Sequence, residues 1–241
     1  MHHDDHASKG IAMWNRKSCC ALFVPAFFCL SLAAGVHAQQ PSGDAPVYKL
    51  PMRGAPASRI GGGTRGPNQD RPGVTVFAPD HTGLTVNPQP TLYWYLSRQA
   101  PVQIELTLLD DAGVKPLIEK VVKTPLQGVI QALSLKDAGV TLAPAVDYRW
   151  HVALVFDPRM RSSDVTSSGT IRLVPAPDAL KAKLAGNNTV SPAVYAAEGL
   201  WYDSIESQMQ LINASPGDNQ LRDQLDSLLS QVGLTRVARQ R

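Results

Sequence analysis

Cysteine is nearly missing from this chain: Cys19, Cys20 and Cys29 are its only three, and all lie near the start. That placement excludes a disulfide framework, a thiol nucleophile and an iron–sulfur cluster for everything that follows. Histidine is scarce too. His2, His3, His6 and His37 lie in the same early stretch, leaving His81 and His151, which are too few and too far apart for a zinc ligand set. Charge of one sign is also lacking. With 23 Lys and Arg against 20 Asp and Glu, the formal net charge is +3, well short of the basic excess that whole-molecule capture of nucleic acid requires. No apolar run after residue 40 is long enough to span a bilayer. A hydrophobic content of 44% with 18% charged residues is that of a globular protein, not of a disordered one.

What is present begins with a leader. Arg16 and Lys17 precede an uncharged, apolar-rich run from Ser18 to Val36, and Val36-His37-Ala38 ends on a small residue. A basic segment, an apolar segment and a small-residue site in that order predict a signal peptide over 1–38, cut after Ala38. The mature chain is then exported, to the periplasm or the outside. An uncleaved anchor is the competing reading, which Pro25 and the run Ala33-Ala34-Gly35 disfavour. Asp4 and Asp5 suit a signal poorly and leave Met13 beside Met1 as the start.

Residues 39–72 are crowded with proline and glycine and show no apolar period, which predicts an extended arm. Its motif Arg53-Gly54-Ala55-Pro56-Ala57-Ser58-Arg59-Ile60-Gly61-Gly62-Gly63-Thr64-Arg65-Gly66 sets arginines around three glycines. Glycines let backbone N–H groups converge on an anion, and arginines add bidentate bonds to carboxylate or phosphate. The Gly-Lys-Ser/Thr ending of a P-loop is missing, so Arg53, Arg59, Thr64 and Arg65 read as partner-docking residues rather than a nucleotide site.

From 73 to 175 the apolar period becomes two. Seven short runs, Val74–Ala78, Thr91–Leu96, Val102–Leu109, Leu117–Lys123, Gly128–Leu135, Tyr148–Phe156 and Val165–Val174, are separated by turn residues such as Asp110-Asp111-Ala112-Gly113 and Asp157-Pro158. That spacing predicts a mainly β chain folded as a sandwich. In the sixth run Tyr148, Trp150, Val152, Leu154 and Phe156 share one face, opposite Arg149 and His151. Trp94 is the expected core partner of Trp150, with Tyr93 and Tyr95 pointing outward. Leu142-Ala143-Pro144-Ala145-Val146-Asp147-Tyr148 resembles the tyrosine corner of fibronectin-III-like and immunoglobulin-like sandwiches, which implies structural roles for Pro144 and Tyr148.

Residues 176–241 turn helical. A short helix over Asp178–Ala185 precedes one expected from Ser191-Pro192 to about Asn213, with Trp201 on its apolar stripe. Tyr202 and Asp203 fall off that stripe and read as partner-facing, and Asp203 with Glu206 as an exposed pair. Another helix runs from Asp218 to Gly233, and the short Ala214–Gly217 link folds the two into an antiparallel hairpin.

Four stretches, RGAPASRIGGGTRG (Arg53–Gly66), LTVNPQPTLYWYL (Leu84–Leu96), YRWHVALVFDPRMRS (Tyr148–Ser162) and AAEGLWYDSI (Ala196–Ile205), resemble an uncharacterised family of bacterial exported proteins, domain of unknown function 928. The resemblance implies a bacterial source and an envelope location, and it implies no activity.

Catalytic arrangements find little support. Neither His81 nor His151 sits near a Gly-x-Ser-x-Gly elbow, and no pattern marks a catalytic, cofactor or metal residue. The expected role is a non-catalytic interaction or adaptor module whose partner is an acidic envelope protein or polymer. The alternatives are a hydrolase acting on an envelope polymer and a small-ligand binding module. N-terminal sequencing of exported protein should begin at Gln39, and neither reductant nor chelator should shift its melting. A start that retains Arg16 and Lys17 would contradict the processing, and a chelator-induced drop would contradict the absence of metal.

Overall fold

The computed structural model describes residues 45–51, 71–98, 102–110, 113, 115–122, 130–185, 190–235 and 237. Among the described residues are eight strands: β1 (Val74–Val76), β2 (Gly83–Thr85), β3 (Thr91–Leu96), β4 (Gln103–Asp110), β5 (Pro116–Val122), β6 (Ile130–Ser134), β7 (Asp147–Val155) and β8 (Val165–Leu173). Four α-helices follow among the described residues: α1 (Asp178–Ala185), α2 (Pro192–Ala197), α3 (Trp201–Ala214) and α4 (Asn219–Gln231). One sheet has the order β1-β3-β6 and the other β2-β8-β7-β4-β5. The chain is thus mainly β, with its helices at the C-terminal end.

Alternation along β7 sets the core. Tyr148, Trp150, Val152 and Leu154 are buried while Arg149 is exposed. On the same inner face Trp150 pairs with Leu108, Val152 with Leu106 and Leu154 with Ile104, so apolar side chains stand opposite one another across the ladder. Trp94 and Trp150 both have no exposed surface and belong to one cluster. β2, which the apolar pattern did not mark, pairs in parallel with β8 through Gly83↔Ile171, Leu84↔Arg172 and Thr85↔Leu173. Three residues that begin on glycine are too few for a visible period of two.

The Tyr148 hydroxyl accepts the Ala143 N–H at 2.9 Å, five residues upstream. Pro144 forms a bridge to Leu173 beside it. Ala145 takes a left-handed φ of 61° and donates its N–H to the Leu173 carbonyl at 3.0 Å. A side chain in that region is strained, and the surrounding bonds hold it there.

Three expectations need correction. Tyr93 and Tyr95 do not point to solvent; only 8% and 2% of their surfaces are exposed. α3 packs against β3, and the leucines of α4 join the same core cluster, so both faces of this sheet are covered. The helix expected from 192 to 213 is two, because Gly199 adopts φ +74. There the Leu200 N–H bonds the Tyr195 carbonyl and the Gly199 N–H that of Ala196, a Schellman stop. A Cβ at Gly199 would also stand 2.9 Å from the Lys49 carbonyl.

That carbonyl belongs to the third correction. Within the expected arm, 45–51 lie on the body. Gln231 accepts the Tyr48 N–H through Oε1 and donates to the Pro46 carbonyl through Nε2, both at 2.8 Å. The Lys49 N–H bonds the Ala196 carbonyl at 2.9 Å. Tyr48 is buried edge-on to Trp201, ring centres 5.0 Å apart, and its hydroxyl meets His81 Nε2 at 2.9 Å. Proline and glycine count marked 39–72 as irregular; its described residues 45–51 form neither helix nor strand, yet one aromatic and two backbone amides suffice to seat them.

Substitution at the corner and at the sheet interface should separate two kinds of cost. Tyr148→Phe should lower stability by about 1–3 kcal/mol, the penalty of an unpaired, part-buried N–H. Gly169→Ala should cost a similar amount, about 1–3 kcal/mol, because the new methyl collides with Ala78 Cβ in the core. Denaturant titration measures both, and unchanged midpoints would contradict these packing assignments.

Candidate functional site

α3 is not a surface helix with one apolar stripe. Trp201 through Ile205 and Ser207 through Met209 are all buried, and its polar side chains reach for main-chain carbonyls of other segments. Trp201 Nε1 donates to Phe77 O at 2.9 Å, Ser204 Oγ to Pro192 O at 2.9 Å, Ser207 Oγ to Val190 O at 3.0 Å and Gln208 Nε2 to Leu221 O at 2.7 Å. Tyr202 goes deepest. Its hydroxyl accepts Trp150 Nε1 at 2.9 Å and donates to Thr170 O at 3.1 Å, and its ring lies where a Cβ on Gly83 would come within 2.6 Å. The reading of Tyr202 and Asp203 as partner-facing is therefore corrected: only 2% and 6% of them are exposed.

Asp203 and Glu206 are likewise not an exposed pair. The Asp203 carboxylate accepts the Val86 N–H at 3.1 Å. Glu206 accepts the Thr91 hydroxyl at 2.6 Å and the Asn87 side-chain amide at 3.3 Å. Together they clip the loop between β2 and β3 onto α3. Between that loop, α3, Tyr195 and the end of α1 opens a cleft of about 390 Å³. Its apolar wall is Val86, Leu184 and Val190, and its polar side is Asp203, Glu206, Ser207 and Gln210, successive positions of one α3 face.

Burial pushes the Asp203 carboxyl up to about 7, and the neighbouring Glu206 charge adds to the rise against the bond from Val86. Tyr195 is raised by its own burial first and then by both carboxylates. A carboxyl poised near neutrality beside a second carboxylate is a feature of acid–base sites. Here, however, both carboxylates project from one turn of one helix. They stand on the same side of anything in the cleft rather than on either side of a bond, the placement that glycoside cleavage needs.

The remaining expected residues lie elsewhere. Arg53, Arg59, Thr64 and Arg65 fall outside the described residues. Trp94, Trp150 and Trp201 are fully buried, and Trp94 Nε1 has no hydrogen-bond partner among the described residues. His81 bridges Tyr48 and Asp80, whose carboxylate is 3.2 Å from Nδ1. His151 sits on the outer sheet face opposite Thr107 and Ser168, and burial followed by the Arg149 charge holds its pKa below the usual value. No group of His, Cys, Asp and Glu able to hold a metal ion occurs among the described residues.

Glu206, Ser207 and Tyr195 were missed as site residues. The signal existed: 203, 206, 207 and 210 form a second stripe of helical period, and two opposed stripes mark a helix buried on both sides.

A family model described as Domain of Unknown Function (DUF928) matches residues 60–241. No curated protein and no solved structure matches the chain.

The buried carboxyl has a consequence for stability. Asp203 is raised from 3.8 to about 7 in the folded chain, so between those values the folded state holds a proton that the unfolded state releases. Stability from this group is complete below about pH 4 and is lost as pH rises through about 7. His151, lowered on folding, slopes the opposite way below its unfolded value of 6.5, so only a difference isolates Asp203. The gap in unfolding free energy between parent and Asp203→Asn should move in favour of the variant from pH 4 to 8. A gap that stays constant would contradict the buried, raised carboxyl.

Proposed function

The chain belongs to the Domain of Unknown Function (DUF928) family, and we propose that it is a non-catalytic interaction module of the bacterial envelope, exported by its leader and built on an immunoglobulin-like sandwich. The observation that carries the reading is the engagement of Asp203 and Glu206. The two carboxylates best placed for chemistry hold the Val86 and Thr91 positions of the chain itself. Side chains committed to a loop and confined to one wall suit recognition better than bond cleavage. The Tyr148 corner and the burial of Trp94 and Trp150 in one core cluster support the immunoglobulin-like assignment.

The docking element is the basic segment that carries Arg53, Arg59 and Arg65. Its flanks are fixed: Pro51 packs at Gly199, and Arg71 lies 4.8 Å from the Phe156 ring centre and bonds Ser163 O at 3.3 Å. A segment held at both ends has less conformational freedom to lose on binding than a free tail. Its charge suits an acidic protein or envelope polymer, with an association that weakens as salt rises. The competing reading, hydrolysis of an envelope polymer, draws on the raised Asp203 carboxyl.

Recovery of a partner from envelope extract by the mature protein tests the choice. Replacing Arg53, Arg59 and Arg65 with alanine should leave the melting temperature within about 2 °C, as surface substitutions do, and abolish recovery. The partner should also elute with salt. Recovery that survives the triple change would overturn the docking role. Turnover of envelope glycan that disappears in Asp203→Asn would establish the hydrolase instead.

A further inference from the structure

The cleft beside α3 holds one carboxylate, Glu206, that the chain leaves without a cation among the described residues, and beside it Asp203, which releases its proton as pH rises through about 7. Asp203 and Glu206 are bonded by neutral donors, a backbone N–H, a hydroxyl and an amide, and neither forms an ion pair with Lys or Arg among the described residues. The Tyr195 hydroxyl, which lines the same cleft, has no hydrogen-bond partner among the described residues, and both carboxylates bear on it. Three acceptor groups on three separate side chains therefore surround one space. An ammonium offers three donors arranged as a tripod, which matches such a set better than the planar fork of a guanidinium. Val86, Leu184 and Val190 complete the lining without charge, and 40% of Leu184 remains exposed at the rim. A ligand that fills this cleft is cationic at one end and apolar along its length.

We propose that the cleft between α3, Tyr195 and the β2–β3 loop binds the ammonium end of an unbranched alkylamine, its chain lying along Val86, Leu184 and Val190. This deepens the interaction-module reading: the amine is either a free small molecule or the lysine side chain of a partner, and both present the same chemistry. Binding leaves the clip intact, because Glu206 Oε1 accepts the Thr91 hydroxyl alone and keeps its second lone pair. The apolar wall selects length, and the carboxylates select charge.

Titration of the mature protein with n-pentylamine, followed through the backbone amide resonances of Val86 and Asn87, tests the site. Pentylamine should bind, while pentanol and hexanoate, equal in length but without the cation, should bind at least about tenfold more weakly. Glu206→Gln keeps the shape and removes the charge, and should weaken pentylamine by about tenfold. Leu184→Trp, made at the exposed rim, should block it without touching the clip. Nα-acetyl-lysine methylamide forms the second arm. Binding of this compound but not of pentylamine assigns the site to a partner's lysine, and the reverse assigns it to a free amine. No binding by either amine, or equal binding by pentanol, overturns the proposal. Neither result bears on Arg53, Arg59 and Arg65, whose test is recovery of the envelope partner, so the two readings fail separately.

Discussion

One side chain ties the helices to the sheets. Tyr202 enters the space beside β2 and β8, and its hydroxyl sits in a relay from the Trp150 indole to the Thr170 carbonyl. Buried hydroxyls are stable only when bonded, and here both the donor and the acceptor come from the sheet that Tyr202 enters. Room for the ring exists because β2 begins on Gly83, where any side chain would strike it. β2 in turn lies on β8 next to Gly169, which leaves space for Ala78 and the Trp150 ring. The two glycines, the tryptophan and the tyrosine are thus one packing unit, although more than a hundred residues separate Gly83 from Tyr202.

From that anchor the remaining geometry follows. Fixing Tyr202 fixes the rotation of α3 about its axis, and the next residue, Asp203, is thereby aimed at the Val86 N–H. One turn later Glu206 reaches Thr91 and Asn87. The loop between β2 and β3 is held by these carboxylates, and the cleft exists because that loop, α2 and the end of α1 do not close over the polar face of α3. The segment with Tyr48 closes the other side, resting on Trp201 and on the helix break that Gly199 provides.

The strands were legible because a half-buried strand writes its alternation into the sequence; Tyr148 to Leu154 is the clearest case. Pro and Gly signals also located the start of α2 and the end of α4. Illegibility had a common cause in double burial. β3 buries Tyr93 and Tyr95 as well as Leu92 and Trp94, although the face of the two tyrosines read as solvent. α3 hides polar residues behind its apolar stripe, so Tyr202, Asp203 and Glu206 read as surface. A period identifies a face that is buried, and it does not reveal whether the opposite face is buried too. The glycine at 199 was visible, but the close approach of the Lys49 carbonyl to it is something no local pattern shows.

Polar burial of this kind is costly unless each group finds a partner, and α3 meets that condition largely with main-chain carbonyls. The helix is accordingly a structural member of the β body and not an appended hairpin. Backbone hydrogen exchange on the mature protein tests this most directly. The amides of α3 and of Val86 should open only with the amides of β7, in the global unfolding reaction. Exchange of α3 and Val86 through a lower-energy local opening, while β7 stays protected, would contradict the account.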